Sequence, residues 1–378
     1  MTIPKVTFTP RLPVELWLHV FRFATSAPTS LSFHYEPFQS SHDSAPLSDA
    51  ALRDKCALTL VCKQWRQLAK DILYEDIRIG HGISLLHATL DQHLPDGLRG
   101  PRHHVRRAVL PYAHTATPTS RDPPALALLS LLPHLEVLVR PPIHPFHSIL
   151  HPPFEFPTTA PAFPTLRRLE WAFDFSGAAA RTGGINALND VLMASPALRE
   201  LVLVGQMPFA ALCQRRLHMR ALRTLRLSAG AGMCPLVARQ TTYWALPALE
   251  NVVVEGCARA GLLEAVWEAF GEQIRVLELG RGVPMQDVGK FISACSALEE
   301  LNLYRIGFCV DAGESWDDQT WSAVLRHVEK VGEGCPALRE AVLYTSDLPL
   351  AAKNPHFHAL HETFLSSGRQ LLLRSLRA

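Results

Sequence analysis

Leu198-Arg-Glu-Leu-Val-Leu203, Leu222-Arg-Thr-Leu-Arg-Leu227, Leu249-Glu-Asn-Val-Val-Val254, Ile274-Arg-Val-Leu-Glu-Leu279 and Leu298-Glu-Glu-Leu-Asn-Leu303 share one spacing, with an aliphatic residue at i, i+3 and i+5. Positions i+3 and i+5 lie two apart, so their side chains point to one face of a short strand. Leu166-Arg-Arg-Leu-Glu-Trp171 is a further clear copy, and weaker ones start at Val105, Leu135 and Leu338. From Leu135 the starts are separated by 31, 32, 24, 27, 25, 24 and 40 residues, room for one strand and one helix each. Proline stands at i−2 in five copies, at Pro133, Pro164, Pro196, Pro247 and Pro336, where it cannot continue a preceding helix.

Between these strands the spacing turns helical. One apolar face carries Leu262, Val266, Ala269 and Phe270. A second carries Val288, Phe291, Ile292 and Cys295, and a third Trp321, Val324, Leu325, Val328 and Val331. A single strand–helix unit leaves its apolar side wet, and stacking the units buries it. The expected fold is α/β: a curved parallel sheet inside and helices outside. Two proline-rich stretches, 113–125 and 141–161, lack periodicity and read as surface loops.

Upstream, Leu12-Pro-Val-Glu-Leu-Trp-Leu-His-Val-Phe21 opens a helix with Pro13 at a first-turn position and Glu15 on its positive end. Leu12, Leu16, Val20 and Phe23 mark one apolar face. A second helix is expected over 52–69, with Leu58, Val61, Cys62, Trp65 and Leu68 in a stripe that Leu60 widens. Two short helices with such wide apolar faces leave a surplus for the rest of the chain or for a partner protein.

Those two stretches, LPVELWLHVF and LTLVCKQWRQLAKDILYEDI, resemble the F-box motif. They share its leading Leu-Pro, the Glu two positions after that Pro, the Val-Cys-x-x-Trp-x-x-Leu-Ala helix and the aromatic with a strand-like tail, here Tyr74 to Ile79. The segment from about Val105 to the C-terminus resembles the irregular leucine-rich repeats that follow F-boxes in fungal-type F-box proteins. Residues 1–78 are then an F-box-like module and 79–378 a leucine-rich-repeat solenoid. The module departs from the pattern by the Ser-, Pro- and His-rich insertion 25–49. The repeats mostly lack the family's Asn or Cys after the strand, Cys257 excepted.

The resemblance implies the substrate-recognition subunit of a Skp–cullin–F-box ubiquitin ligase. A Skp-family adaptor, and through it a cullin ligase, would dock on Leu12, Pro13, Leu16, Val20, Leu60, Val61, Trp65 and Leu68. Trp65 has the alternative of filling the module's own core. A protein substrate would meet strand positions i+2 and i+4: Glu200, Val202, Thr224, Arg226, Asn251, Glu278, Glu300, Asn302 and Glu340. Tyr304 and Tyr344, placed after their strands, would add aromatic anchors. The rival readings are a repeat scaffold outside any ligase and an enzyme of unrecognised fold, which a deep pocket of perturbed ionisable groups would favour.

Composition narrows the classes further. Of 378 residues, 48% are hydrophobic and 19% charged, enough for a buried core and too little charge for wholesale disorder. A formal net charge of +2 gives no reason to expect nucleic acid. Eight cysteines, none in a Cys-x-x-Cys pair, read as reduced thiols in a cytoplasmic or nuclear protein. No signal peptide and no uninterrupted run of 18 apolar residues is seen, so neither secretion nor a membrane is expected. Phosphate-loop, nucleophile-elbow and zinc-protease motifs are missing. His144, His147 and His151, and His356, His358 and His361, lack the cysteine and rigidity of a structural zinc site, so no metal or other cofactor is expected.

Overall fold

The computed structural model describes residues 12–25, 31, 33, 35–38, 44–79, 83–92, 100–110, 125–141, 162–173, 185–205, 216–229, 243–255, 264–280, 292–303, 335–345 and 348–375. In chain order the elements begin with α1 (Val14–Thr25), α2 (Ser44–Val61), α3 (Lys63–Tyr74), β1 (Asp76–Arg78) and α4 (Ile83–Leu90). Next come β2 (Arg107–Val109), α5 (Ala125–Ser130), β3 (Val137–Arg140), β4 (Arg168–Phe173), α6 (Ile185–Met193) and β5 (Glu200–Gly205). They are followed by β6 (Leu217–His218), β7 (Thr224–Ala229), β8 (Trp244–Ala245), β9 (Asn251–Glu255), α7 (Glu264–Phe270), β10 (Val276–Leu279) and β11 (Glu300–Leu303). The last are β12 (Glu340–Thr345), α8 (Leu348–Ala352), α9 (Pro355–Ser366) and β13 (Gln370–Ser375).

Among the described residues eleven strands form one open, parallel sheet in the order β1-β2-β3-β4-β5-β7-β9-β10-β11-β12-β13, so the chain advances along the sheet without doubling back. All nine periodic hexapeptides, strong and weak, contribute a strand. A repeated turn explains why. In seven of them the N–H of residue i donates to the carbonyl of i−3, as in Leu166 to Phe163 and Leu338 to Cys335. The five prolines occupy the second position of these turns, where their fixed φ is an asset. The carbonyl of residue i+1 then accepts two N–H groups from the next repeat. Arg167 takes those of Arg199 and Glu200, and Arg199 takes those of Arg223 and Thr224. Each strand thus fixes the register of its successor.

That register lines up two apolar rows. One runs Leu169, Leu201, Leu225, Val252, Leu277, Leu301 and Ala341, and the other Trp171, Leu203, Leu227, Val254, Leu279, Leu303 and Leu343. Both rows join the turn residues Leu166, Leu198, Leu222, Leu249 and Leu298 in one continuous buried cluster. Val266, Trp267 and Phe270 of α7 pack into the same cluster, on the side where the sequence places its helices. The segments 285–291 and 321–334, expected to be helical, lie outside the described residues, as do most of the proline-rich stretches.

Three expectations need correction. The helix expected over 52–69 is two helices, because Cys62 leaves helical geometry at φ −160° and caps α3, its Sγ accepting from the Trp65 N–H at 3.4 Å. The insertion expected as a loop to residue 49 ends earlier, since α2 begins at Ser44. Tyr344 does not follow its strand but stands within β12. The strand-like tail expected at Tyr74 to Ile79 contains β1, the first strand of the sheet. The Glu75 carbonyl accepts from the N–H groups of Arg106 and Arg107, and the Glu75 carboxylate from Arg22 of α1 at 3.1 and 3.2 Å.

Candidate functional site

Two surfaces stand out by their chemistry. On the N-terminal helices a small aromatic core closes around Phe21, Ala69 and Ile72, with Trp17, Leu58, Trp65 and Leu68 against it. The Trp65 ring lies 4.8 Å from Phe21 and 5.2 Å from Trp17. Trp65 and Leu68 therefore face inward, half-buried, and support the surface rather than form it. Leu12, Pro13, Leu16, Val20, Leu60 and Val61 are exposed. Val14 and Phe23 join them, Phe23 at 88% exposure. The face marked by Leu12, Leu16, Val20 and Phe23 is the outward face of α1.

The second surface is the sheet face opposite the apolar rows. Register places Arg168, Glu200, Thr224, Asn251, Val276, Glu300 and Glu340 in one row. The neighbouring row holds Glu170, Val202, Arg226, Val253, Glu278, Asn302 and Val342. These are the expected i+2 and i+4 positions, brought together from six repeats. Arg168 and Glu170 belong to the same pattern, which extends one repeat further upstream than the sequence reading took it. Charges alternate: Arg168 pairs with Glu170 at 2.8 Å, Arg226 with Glu200 at 2.9 Å, and Arg226 faces Glu278 at 3.7 Å.

A solvated face was the natural expectation for such residues, but Glu278 and Asn302 are 0% exposed and Arg226 only 3%. The cover is the insertion after α1. Leu31 and Phe33 pack on Val109, Val137 and Val139, and the Arg167 guanidinium stands 5.4 Å from the Phe33 ring. The Tyr35 hydroxyl donates to Glu278 Oε2 at 2.7 Å and accepts from the Asn302 amide at 3.1 Å. Arg226 donates to the Glu36 carbonyl at 3.0 Å, its guanidinium 5.6 Å from the Tyr35 ring. The Phe38 N–H donates to Glu278 Oε2 at 3.0 Å, and the Phe38 ring meets Tyr344 edge-on at 4.5 Å. The segment thus crosses the sheet from β2 to β12.

Burial perturbs the groups beneath. It pushes the Glu278 carboxyl up to about 7, against the pull of Arg226 and of the Phe38 and Tyr35 donors. It also raises the Tyr35 phenol far above its ordinary range, with Glu278 adding to the effect. Burial alone would lower Arg226, but Glu278 and Glu200 reverse the direction. Glu278 Oε1 and Asn302 Oδ1 are buried and accept no hydrogen bond from the described residues. Phe38 has φ +53°, a left-handed backbone that a bulky side chain rarely adopts, at a cost of roughly 1–2 kcal/mol.

No family model matches the chain. No curated protein matches it either. The case for function therefore rests on the two surfaces. Of the other expected site residues, Asn251 donates to Thr224 at 3.1 Å, Glu300 accepts from Asn302 at 2.6 Å, and Glu340 accepts from Arg374 at 3.4 Å. Tyr304 lies outside the described residues, as do His144, His147 and His151. His356, His358 and His361 lie on α9. Among the described residues no three His, Cys, Asp or Glu side chains are grouped to hold a metal, and no helix is long and apolar enough to cross a membrane.

What this face can do chemically is hold an extended chain. A carboxylate takes a phenol O–H and a backbone N–H, a guanidinium takes a backbone carbonyl, and Tyr344 takes a phenyl edge. Sequence reasoning missed the segment that supplies these partners. Its signal was present: Leu31, Phe33 and Tyr35 alternate within a stretch otherwise rich in Ser, Pro and His.

Proposed function

We propose that this chain is the substrate-recognition subunit of a Skp–cullin–F-box ubiquitin ligase. Its N-terminal helices dock on a Skp-family adaptor, and its sheet, a leucine-rich-repeat solenoid in this reading, presents a protein substrate on the polar face. The protein supplies position rather than chemistry. One observation carries the adaptor half. Of the ten large hydrophobic residues exposed among those described, seven belong to the N-terminal helical unit: Leu12, Val14, Leu16, Val20, Phe23, Leu60 and Val61. Apolar side chains clustered in water on a folded helical hairpin mark a protein interface. The turn that enters seven of the strands, with proline in five of them, is repeated along one parallel ladder and supports the repeat half.

Co-purification with a purified Skp-family adaptor tests the reading. Leu16→Glu combined with Val20→Glu should lower adaptor retention at least tenfold and leave the circular dichroism spectrum unchanged. Retention equal to that of the unaltered chain would reject the surface, and no retention by the unaltered chain would reject the ligase reading itself.

A further inference from the structure

The insertion between α1 and α2 touches the sheet as a ligand would. It reaches across β2 to β12 from an element some 240 residues away in sequence from its main contact, Glu278. Its grip is built from a few side-chain bonds rather than from strand pairing. Of its described residues Leu31, Phe33, Tyr35, Pro37 and Phe38 are half-buried, and Glu36 is exposed.

Three features separate this contact from a permanent core. Buried charge is a poor way to cement a fold, since apolar residues of the same volume do as well or better. The segment's bonds are few, the Tyr35 hydroxyl and the Phe38 N–H both going to the same Glu278 oxygen and Arg226 to the Glu36 carbonyl. And the anchor residue Phe38 is held in a strained left-handed backbone at the point where it meets Glu278 and Tyr344. Strain at a contact favours its release.

We propose that the polar face of the sheet is a binding site for an extended peptide bearing a tyrosine with a phenylalanine three residues later, and that Leu31–Phe38 occupies it in cis as a displaceable pseudo-ligand. This deepens the reading of the sheet as the substrate surface, and rests on it. Glu278 and Asn302 read the tyrosyl hydroxyl, Arg226 reads the following backbone carbonyl and the ring, and Tyr344 seats the phenyl. The chain in this state is closed to substrates until a competitor of the same chemistry takes the segment's place.

Fluorescence anisotropy with a labelled synthetic peptide of residues 31–38, titrated against the full chain, tests this. Tyr35→Ala combined with Phe38→Ala empties the site in cis and should tighten binding of the peptide at least tenfold over the unaltered chain. A peptide with phenylalanine in place of the tyrosine should bind that variant at least fivefold more weakly, and adding Glu278→Gln should weaken binding of the tyrosyl peptide. Equal affinity of the variant and the unaltered chain would overturn the proposal, as would indifference to the tyrosyl hydroxyl. A variant that fails to fold would assign the segment to the core and overturn it too. Hydrogen exchange on the unaltered chain gives an independent reading: the Phe38 amide should exchange at least a hundredfold faster than those of Leu225 and Val252, and equal protection would count against displacement. Adaptor co-purification run on the same variants keeps the two readings apart. Adaptor binding with no peptide binding sinks the groove alone, and peptide binding with no adaptor binding sinks the ligase alone.

Discussion

Phe23 and Leu60 stand in water on the N-terminal helices, whereas Glu278 and Arg226 lie sealed on the face of the sheet. Each region breaks the ordinary rule of burial, in opposite directions. On the helices apolar area is left open after the local core of Phe21, Trp65 and Ile72 has closed. On the sheet a charged row is covered by a segment that begins in those same helices. The contrast separates two ways of holding an interface in reserve. An apolar one waits for a partner in trans. A polar one, costly to dry and specific once dried, is filled in cis.

The sharpest way to break this contrast is to empty one charge from the sheet. Arg226→Ala strips Glu278 of its cation and leaves Glu200 with Arg168 alone, 3.7 Å away, and removing one partner from a buried pair typically costs about 3–5 kcal/mol. Urea denaturation should show a loss of that size. A loss below about 1 kcal/mol would mean that water reaches the row and that the cover is loose.

Acidity offers the next largest effect. The folded Glu278 carboxyl sits at about 7, above its ordinary 4.5. Between those values the folded chain keeps a proton that the unfolded chain has released, so this group's contribution is fully present below 4.5 and is lost as pH rises through 7. The change amounts to roughly 3 kcal/mol. Glu278→Gln should flatten the fall in stability between pH 5 and pH 8. An unchanged slope would place its origin elsewhere. Tyr35→Phe comes third. It removes the bonds to Glu278 and Asn302 and should lower stability by about 1–2 kcal/mol in the same urea series.

Much of the sheet was legible because the strand code is local. An aliphatic residue at i, i+3 and i+5, entered through a proline turn, is complete within nine residues, and even weak copies such as Val105-Arg-Arg-Ala-Val-Leu110 became strands. At the far end of the sheet the code is missing, and so was the reading. Gln370-Leu-Leu-Leu-Arg-Ser375 has no entering proline and no alternation, and it becomes β13 only because β12 offers an edge to pair with. The break at Cys62 was hidden by an apolar stripe that runs through it. The polar rows were legible as positions but not as buried ones, because burial comes from Tyr35 and Phe38, joined to Glu278 by no local rule. The exposed apolar residues were read from the helical spacing of α1 and from Leu60 and Val61, while Trp65 needed the three-dimensional contact with Trp17 and Phe21 to be placed inside.

The smallest effect is expected at the open apolar face, and its smallness is the point. Leu16→Ala, Val20→Ala and Phe23→Ala each remove side chains that water already touches, so each should change stability by no more than about 0.5 kcal/mol. Phe21→Ala, within the same helix but turned inward at 1% exposure, serves as the control that the assay detects a buried loss. If the outward truncations cost as much as the inward one, the face is packed in solution, against another part of the chain or a second copy, and the surface is not held free for a partner. If they cost nothing and also suppress self-association at high concentration, the apolar patch has no structural use within the single chain. Its area then has value only in a complex, and this separates an interface from a poorly finished core.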